Sequence, residues 1–500
     1  MKNKIFAWCA LSAALLLTAT ACDVGSEPDS TVAESPTDAV ESVYSQGLTY
    51  AKLSDGACSV TGIGACTDAE IVIPSRYEGM AVVAIGERAF YGCEGVTSVT
   101  IPAGVTSVGE YAFALCSDLT SVTLPEGVTK LGEWAFYNCR NLVSVTLPNS
   151  LLQIGLEAFT ACPALTSFSV KPNHPTLSAD GGILYNRDRT VLLSYPSASG
   201  NVTVRAGVTA IGSAAFSQCR ALSSVVLPDG VTFVGDSAFS ACYSLTSVEM
   251  PETMTYLGGG AFSNCYCLTA VRIPRGVTEV GQWTFSQCRM LSTVELSDTV
   301  TVIGDQAFLG CVGLVSITLP AGVSELHTRA FNGCENLLTV TVDEGNPNLC
   351  SKDGIVYTKD MTALLFCPDR KVEVTIPDSV TAIGEEAFSE NGSLRAVRFG
   401  SGVRKIGYQA FFNCRKLDTV TLSDGLAEIG LGAFRGTALT SVRIPASVTF
   451  MDAMAFAECS RLTDVYYDGS EDEWNALAKE DGWAYGSEGY TLRFNPDPEA

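Results

Sequence analysis

Cysteine is the residue type in this chain that could most readily carry redox, metal or nucleophilic chemistry, and the sequence contains 19 of them. In an exported protein, such a number usually predicts a disulfide framework. The spacing indicates something else, because twelve cysteines stand three residues after a recurring phenylalanine. These twelve are Cys93, Cys116, Cys139, Cys162, Cys219, Cys242, Cys265, Cys288, Cys311, Cys334, Cys414 and Cys459. We therefore predict a ladder of buried free thiols with rungs about 5 Å apart, although disulfides between rungs are sterically conceivable.

The sequence leaves open whether the cysteines outside this ladder form disulfides. Cys58 and Cys66 could pair near the amino terminus, and Cys350 and Cys367 could pair further along the chain. The Cys-Tyr-Cys run at 265–267 begins with a ladder cysteine and has no histidine or second cysteine pair nearby. A metal site is therefore not expected there.

The other candidates for chemistry are few. The two histidines, His174 and His327, lie far apart in different units of the chain. The glycines at 258–260 resemble a phosphate-binding loop, but the first of them is an ordinary repeat glycine. The acids at 471–473 fall in the first turn of a predicted helix, where they satisfy its dipole. The sequence has no H-E-x-x-H or G-x-S-x-G motif, and we predict that the protein is not an enzyme and uses no metal or cofactor.

These residues are positioned by a repeat whose clearest copy is LTSVTLPEGVTKLGEWAFYNC, at 119–139. Val122 and Leu124 alternate as in a short, half-buried strand, and Pro125 ends that strand. Gly132 predicts a tight corner that needs either a positive φ or a close backbone approach. The phenylalanines that mark the repeats are Phe90, Phe113, Phe136, Phe159, Phe216, Phe239, Phe262, Phe285, Phe308, Phe331, Phe388, Phe411, Phe434 and Phe456.

The spacing of these phenylalanines predicts the fold class. They are 23 residues apart, except for two steps of 57 and a last step of 22. A period of this length with a Leu-x-x-Val-x-Leu core is typical of a repeat solenoid of leucine-rich-repeat type, here with about 14 repeats of 23 residues. We expect a β-rich chain with a parallel sheet on one face, because a single coil buries its apolar residues only by stacking on its neighbours.

The two long steps predict β-hairpin inserts near 171–204 and 343–376, in each of which two strand-like runs flank a polar turn. The solenoid with its inserts should occupy 86–465. A β-rich amino-terminal cap is expected at 44–85, where strand-like runs alternate with Gly-rich turns.

The carboxy-terminal segment, 466–500, predicts a second cap. Ser470 and Glu473 have the spacing of a capping box, which favours a short helix to about residue 479. A strand should follow at 490–494.

The amino-terminal segment predicts export. Residues 1–21 have a basic start, an apolar stretch and a small-residue end before Cys22. This run resembles a bacterial lipoprotein signal peptide, and the resemblance implies lipidation of Cys22, with ordinary secretion as the alternative. Residues 22–43 are rich in Ser, Thr, Pro, Asp and Glu, which suits a flexible tether. We therefore expect an exported protein that is lipid-anchored at the bacterial cell surface or secreted.

Three motifs carry a resemblance to a known family. They are the coil P-x-x-V-x-x-I-G-x-x-A-F-x-x-C-x-x-L-x-S-V-x-L, the insert sequence D-G-I-V-Y and the tail sequence Y-Y-D-G-S-E-D-E-W. Over about residues 45–495, the chain resembles the BspA-type leucine-rich-repeat proteins of bacterial surfaces. The resemblance implies adhesion, since the name-giving members are similar to adhesins that bind host matrix proteins or other bacteria. The resemblance implies no catalytic residues.

The residues that face outward on the predicted strands are candidates for partner binding. Most are Ser or Thr, as in an ordinary solvated sheet, but Glu249, Arg272 and Glu295 interrupt this pattern on three successive rungs. They form either a surface ion-pair row or a contact patch, and exposed pairs of this kind contribute only about 0–1 kcal/mol to folding. The predicted binding face comprises Glu249, Arg272, Glu295, Arg398, Arg443 and Tyr466.

These features predict a cell-surface protein that binds a protein ligand non-covalently, or mediates adhesion, through a concave sheet and two inserts. The net charge of −23 argues against nucleic acid or an anionic membrane surface as the partner, so contact with a membrane is expected only through Cys22. The alternative is a substrate-binding lipoprotein that captures a glycan or peptide for uptake. Aromatic platforms on the concave face would favour that alternative, and Tyr466 is the one aromatic residue predicted there.

Overall fold

The structure is a computed structural model that describes residues 44–54, 56–487 and 489–495. The predicted signal segment, Cys22 and the predicted tether lie outside the described residues. Among the helices of the described ranges, none is long and apolar enough to cross a membrane.

The described chain is a parallel β-solenoid of about 19 turns with almost no helix, which confirms the predicted fold class. It begins with β1 (Thr49–Ser54), β2 (Ala57–Gly62), β3 (Glu70–Val72), β4 (Arg76–Tyr77) and β5 (Met80–Ile85). The pairs β1–β2 and β4–β5 are antiparallel. β3 already pairs in parallel with β6 (Ser98–Thr100), so the parallel ladder starts within the amino-terminal cap.

Each regular repeat then contributes two strands, a longer one and one of two residues. Those of the first repeats are β7 (Ser107–Val108), β8 (Ser121–Thr123), β9 (Lys130–Leu131), β10 (Ser144–Leu147), β11 (Gln153–Ile154) and β12 (Ser167–Val170). The longer strands pair with one another in a first ladder, and the two-residue strands pair in a second. The sequence predicted only the first ladder, because a two-residue strand is too short to show an alternating pattern.

The first insert is a three-stranded antiparallel unit made of β13 (Leu177–Asp180), β14 (Ile183–Asn186) and β15 (Val191–Ser194). β15 then pairs in parallel with the next two-residue strand and rejoins the second ladder. The central repeats follow as β16 (Gly200–Thr203), β17 (Ala210–Ile211), β18 (Leu222–Val226), β19 (Phe233–Val234), β20 (Ser247–Glu249), β21 (Tyr256–Leu257), β22 (Ala270–Arg272), β23 (Glu279–Val280), β24 (Thr293–Glu295), β25 (Val302–Ile303), β26 (Ser316–Leu319), β27 (Glu325–Leu326) and β28 (Thr339–Val342).

The second insert repeats the first with β29 (Leu349–Lys352), β30 (Ile355–Thr358) and β31 (Ala363–Phe366). The last repeats and the carboxy-terminal cap contain β32 (Glu373–Thr375), β33 (Ala382–Ile383), β34 (Ala396–Arg398), β35 (Lys405–Ile406), β36 (Thr419–Thr421), β37 (Glu428–Ile429), β38 (Ser441–Ile444), β39 (Phe450–Met451), β40 (Asp464–Tyr467), α1 (Glu471–Ala476), β41 (Ala478–Lys479) and β42 (Thr491–Phe494).

The carboxy-terminal helix α1 begins at the predicted capping box. The Ser470 side chain accepts a hydrogen bond from the Glu473 backbone N–H, and the Glu473 carboxylate accepts one from the Ser470 N–H. The helix ends at Ala476, earlier than the sequence predicted, and β41 joins the second ladder beside β39.

The core is a column of stacked phenylalanine rings. Neighbouring repeat phenylalanines lie with ring centroids 4.6–5.6 Å apart. The buried apolar side chains form three clusters, which meet at Leu184 and Tyr185 in the first insert and at Ile355 and Phe366 in the second. The inserts therefore divide one continuous coil into three blocks of core.

The repeat glycine is required by close backbone approach and not by a positive φ. A Cβ on Gly132 would lie 2.4 Å from the backbone nitrogen of Glu110 in the preceding coil. Positive φ angles occur instead two residues before and after the repeat phenylalanine, mostly on residues other than glycine, such as Trp134 (φ 51°) and Asn138 (φ 57°). Stacking of the coils thus holds these non-glycine residues in the left-handed backbone conformation, which such residues rarely adopt.

Candidate binding face

The ladder cysteines are buried in the core, as predicted, and the 17 cysteines that the structure describes are free thiols. Most ladder thiols donate to the phenylalanine carbonyl of the preceding coil; Cys139 Sγ lies 3.1 Å from the oxygen of Phe113. Burial raises the pKa of the Cys116 and Cys288 thiols to about 12. These two thiols stay protonated at neutral pH and are poor nucleophiles.

The cysteines whose pairing the sequence left open are also unpaired thiols in the structure. Cys58, Cys66 and Cys367 are buried, and Cys350 is half-buried. The Cys350 thiol donates to the backbone oxygen of Thr358 at 3.2 Å, within its own hairpin.

His174 is a structural residue of the first insert. Its Nε2 lies 3.0 Å from the Pro148 oxygen, and its Nδ1 accepts hydrogen bonds from the backbone of Thr176 and Leu177 at 3.2 and 3.0 Å. The ring is 1% exposed, and burial lowers the pKa of His174. Both nitrogens are used by the backbone, so this histidine has no free site for a metal or a proton transfer.

The other candidates for chemistry are placed apart. His327 lies 3.0 Å from Glu325 on the surface, and Glu473 is occupied by the capping box. Within the described ranges, no group of His, Cys, Asp or Glu side chains is arranged to hold a metal ion.

The outward residues of the first ladder form a surface that we call the strand face. In β8, for example, Val122 points into the core while Ser121 and Thr123 are exposed. Successive rungs bring corresponding residues into register, as for Ser121 and Ser144. The parallel ladder therefore presents rows of hydroxyl groups to solvent, as the sequence predicted.

The central charged patch of this face is built around Arg272. Arg272 lies opposite Glu295 in the β22–β24 pair, with Nε 3.9 Å from the Glu295 carboxylate. Its guanidinium also donates to Glu252, a loop residue that the sequence reasoning missed. Glu249 lies on β20, which pairs with β18 and not with β22. The structure thus brings Arg272 and Glu295 together and places Glu249 across a break in the strand pairing.

A second charged patch lies at the carboxy-terminal end of the strand face. Arg443, Tyr466 and Arg493 stand in register on β38, β40 and β42. Arg443 bonds to Asp468 at 2.7 Å, and Arg493 bonds to Asp464 at 3.0 Å.

The position of Arg493 was missed because it follows the last regular repeat. The predicted strand at 490–494 was the available signal, since a strand at this point of the chain would be expected to continue the ladder beyond β40. Arg398 lies apart from this patch, between Thr375 and Thr421 on β32, β34 and β36.

A half-buried aromatic column was also missed. Tyr243 and Tyr266 stack with centroids 4.8 Å apart, Arg220 lies 5.2 Å above the first ring and Arg289 lies 5.0 Å from the second. All four stand four residues after a repeat phenylalanine, a regularity that an alignment of repeats contains. Because each ring face is covered by a ring or a guanidinium, the column offers edges and no open face for stacking a sugar.

The repeat geometry is matched by a known family. The model of the BspA type leucine rich repeat region matches residues 83–180, 209–339 and 365–475 in six copies. The chain belongs to the BspA-type leucine-rich repeat family. This family consists of leucine-rich repeat proteins and is not a family of enzymes.

Solved structures of similar fold come from several bacteria. A leucine rich cell surface protein from Faecalibacterium prausnitzii is 25% identical, with a TM-score of 0.42 over 89% of this chain and 99% of that chain. A leucine-rich repeat protein from Bacteroides ovatus is 23% identical, with a TM-score of 0.43 over 91% and 99%. The pneumococcal vaccine antigen PcpA is 18% identical, with a TM-score of 0.44 over 65% and 78%. None of the curated proteins compared with the chain matches it.

Proposed function

We propose that the protein binds another protein non-covalently at the bacterial cell surface and catalyses no reaction. The observation that carries this proposal is the strand face, where arginines with carboxylate partners interrupt rows of hydroxyl groups. Membership of a leucine-rich repeat family supports protein binding. Attachment through a lipidated Cys22, and adhesion to host matrix or to other cells, are the finer parts of the proposal and are supported by the sequence.

The charges of the strand face are suited to recognition. The Arg272 side chain is 59% exposed and that of Glu295 is 66% exposed, so their interaction is screened by solvent and contributes little to folding. Burial under a partner would remove this solvent and strengthen complementary contacts. Many weak polar contacts along the ladder would then add to the affinity and fix the register of the partner.

Binding can be tested with the full chain carrying Cys22→Ser, which avoids lipidation. The protein is applied to arrays of matrix proteins, bacterial surfaces and glycans, beside the triple variant Glu249→Ala, Arg272→Ala, Glu295→Ala. The matched control is Lys405→Ala with Glu428→Ala, which removes an exposed ion pair of 2.8 Å from the second ladder. A second variant, Arg398→Ala with Arg443→Ala and Tyr466→Ala, tests the remaining predicted residues.

A protein ligand that is lost in either strand-face variant and kept in the control supports the proposal. If both variants still bind a protein ligand, the binding site lies away from the strand face. A glycan ligand that is insensitive to all of these variants would favour the alternative function of substrate capture for uptake. For the anchor, incorporation of a labelled fatty acid should be lost in Cys22→Ser, and labelling that persists would contradict it.

A further inference from the structure

The two inserts have the same fold, but they differ in the cleft between the hairpin turn and the strand that resumes the first ladder. In the second insert this cleft has a volume of about 380 Å³ and lies between the β29–β30 turn and β32. Its charged lining comprises Lys352 and Asp353 from the turn, Lys371 from the chain just before β32, and Glu373 from the start of β32. We call it the second-insert cleft.

These charged groups are not paired with one another. Lys371 Nζ donates to the backbone oxygen of Asp353 at 2.6 Å, which holds the amine in the cleft without neutralising it. Within the described part of the chain, none of the four side chains forms an ion pair. The cleft therefore offers two amines and two carboxylates to a ligand that carries both signs of charge.

In the first insert, an ion pair spans the corresponding place. Asp180 occupies the position of Lys352, and Arg205 occupies the position of Pro377, which lines the second-insert cleft. The Arg205 guanidinium lies 3.4 Å from the Asp180 carboxylate and 6.0 Å from the centre of the Tyr185 ring. An internal ion pair thus joins the hairpin turn to the end of β16 in the first insert, whereas the second insert has no such bridge at these positions.

The second-insert cleft also contains a free strand edge. β32 pairs with β34 and with no other strand of the described residues. The Val372 oxygen and the Ile376 N–H both bond toward β34. Since successive residues direct their backbone groups to opposite sides, those of Glu373 and Thr375 point away from β34 and into the cleft. An unpaired edge of this kind can accept an additional strand.

We propose that the second-insert cleft binds an extended segment of a partner protein, which adds a strand to β32 and carries both an acidic and a basic side chain. This inference rests on the proposed function, since it assigns protein binding to a particular part of the chain. β32 is three residues long, so about 10 Å of peptide pairs with it. The acidic side chain meets Lys352 and Lys371, and the basic one meets Glu373.

The proposal can be tested with a labelled eight-residue peptide that alternates threonine with glutamate and lysine in turn. Binding is measured by fluorescence anisotropy at low salt, beside peptides whose charged residues are all glutamate or all lysine. Two further peptides are N-methylated, one on its threonines and one on its charged residues. We expect the mixed peptide to bind at least 10-fold more tightly than either single-sign peptide, and only one of the two methylated peptides to lose binding.

Protein variants locate the site. Lys352→Asp with Pro377→Arg gives the second insert the bridge of the first, and should weaken binding at least 10-fold. The reciprocal variant combines Asp180→Lys and Arg205→Pro with Ser199→Lys and Asn201→Glu, which gives the first insert the main charges of the second-insert cleft. It should create a second site and raise the stoichiometry from one to two. Lys352→Gln, a change of one exposed side chain, keeps the test valid if the double variant does not fold.

The outcomes separate this inference from the proposed function. Three results would each overturn the inference. The mixed peptide would show no saturable binding, the two methylation patterns would have equal effects, or the bridged variant and Lys352→Gln would both bind the peptide fully. The strand-face variant with Glu249, Arg272 and Glu295 replaced should bind the peptide normally. A failed array screen with intact peptide binding would therefore count against the strand face alone, and the reverse result would count against the cleft alone.

Discussion

The two inserts show how one fold can be kept while its surface chemistry changes. In both, a three-stranded antiparallel unit leaves the coil and returns to the second ladder. His174 in the first insert and Asn346 in the second occupy the same place and make the same kind of contacts. The Asn346 amide donates to Pro320 and Val323 at 3.2 and 2.7 Å and accepts from the backbone that follows it. Imidazole and amide serve equally because the site needs one donor and one acceptor at fixed positions.

The surroundings of the inserts differ much more than these anchors. Asp369 in the second insert replaces Ser197 of the first, and it is buried. Next to the second insert, Arg329 forms bonds of 2.6–3.0 Å with the nearly buried Glu386 and so joins two coils separated by 57 residues of sequence. The repeat therefore determines where a hairpin can leave the coil, whereas the charges around it are free to diverge.

The largest expected effect concerns the block of core between the inserts. Phe285→Ala removes a fully buried ring from the middle of this block and should destabilise it by about 3–5 kcal/mol. If the inserts separate the core blocks, hydrogen exchange should accelerate chiefly between residues 185 and 366. Equal acceleration in all three blocks would show that the inserts do not interrupt cooperativity, and an unchanged unfolding transition would contradict the assignment of Phe285 to the core.

The next effect should distinguish the second insert by a loss of stability as the pH rises from acid to neutral. Burial, with smaller contributions from Glu335 and Glu390, raises the pKa of Asp369 from 3.8 to about 7. The folded chain binds this proton more tightly than the unfolded chain, so its contribution to stability is present at low pH and is lost as the pH rises from about 4 to 7. Asp369→Asn should therefore stabilise the protein at pH 8, on the order of 2–4 kcal/mol, with little effect at pH 4. The midpoint of denaturant unfolding measures this, and Ser197→Asn is the matched control in the first insert.

The smallest effect should give the first insert the opposite pH dependence. Burial lowers the pKa of His174 below its ordinary 6.5, so the folded chain binds this proton less tightly than the unfolded chain. Its contribution to stability is complete above about pH 6.5 and is lost as the pH falls through the folded-state pKa. His174→Asn should cost less than about 1 kcal/mol at pH 8, because both hydrogen-bonding roles are kept, and should remove the loss in acid.

The reciprocal change provides the control for this last prediction. Asn346→His should make the second insert sensitive to acid in the same way. Thermal unfolding measured at pH 5 and pH 8 for both variants would settle the matter, and identical pH profiles of His174→Asn and the unchanged protein would rule out His174 as the source.

The sequence was sufficient for the features that repeat. Fourteen phenylalanines, most of them 23 residues apart, carry enough information to place the first ladder, the buried thiols and the hydroxyl rows, because each copy lies in the same environment. Features that occur once carry no such redundancy. Glu252, which bonds to Arg272, lies in a loop, and nothing in its local sequence indicates that its carboxylate turns toward a strand of the next coil.

By itself, the amino-acid sequence determined the solenoid and its repeat period. These follow from local patterns, since burial recurs with the same period as the chain. Only the tertiary structure decided three further features. The repeat glycine is required by close backbone approach, the strand pairing is interrupted between Glu249 and Arg272, and an ion pair spans the hairpin turn and the returning chain in the first insert. Each of these depends on distances between coils, which are set by stacking and are not encoded in any single repeat.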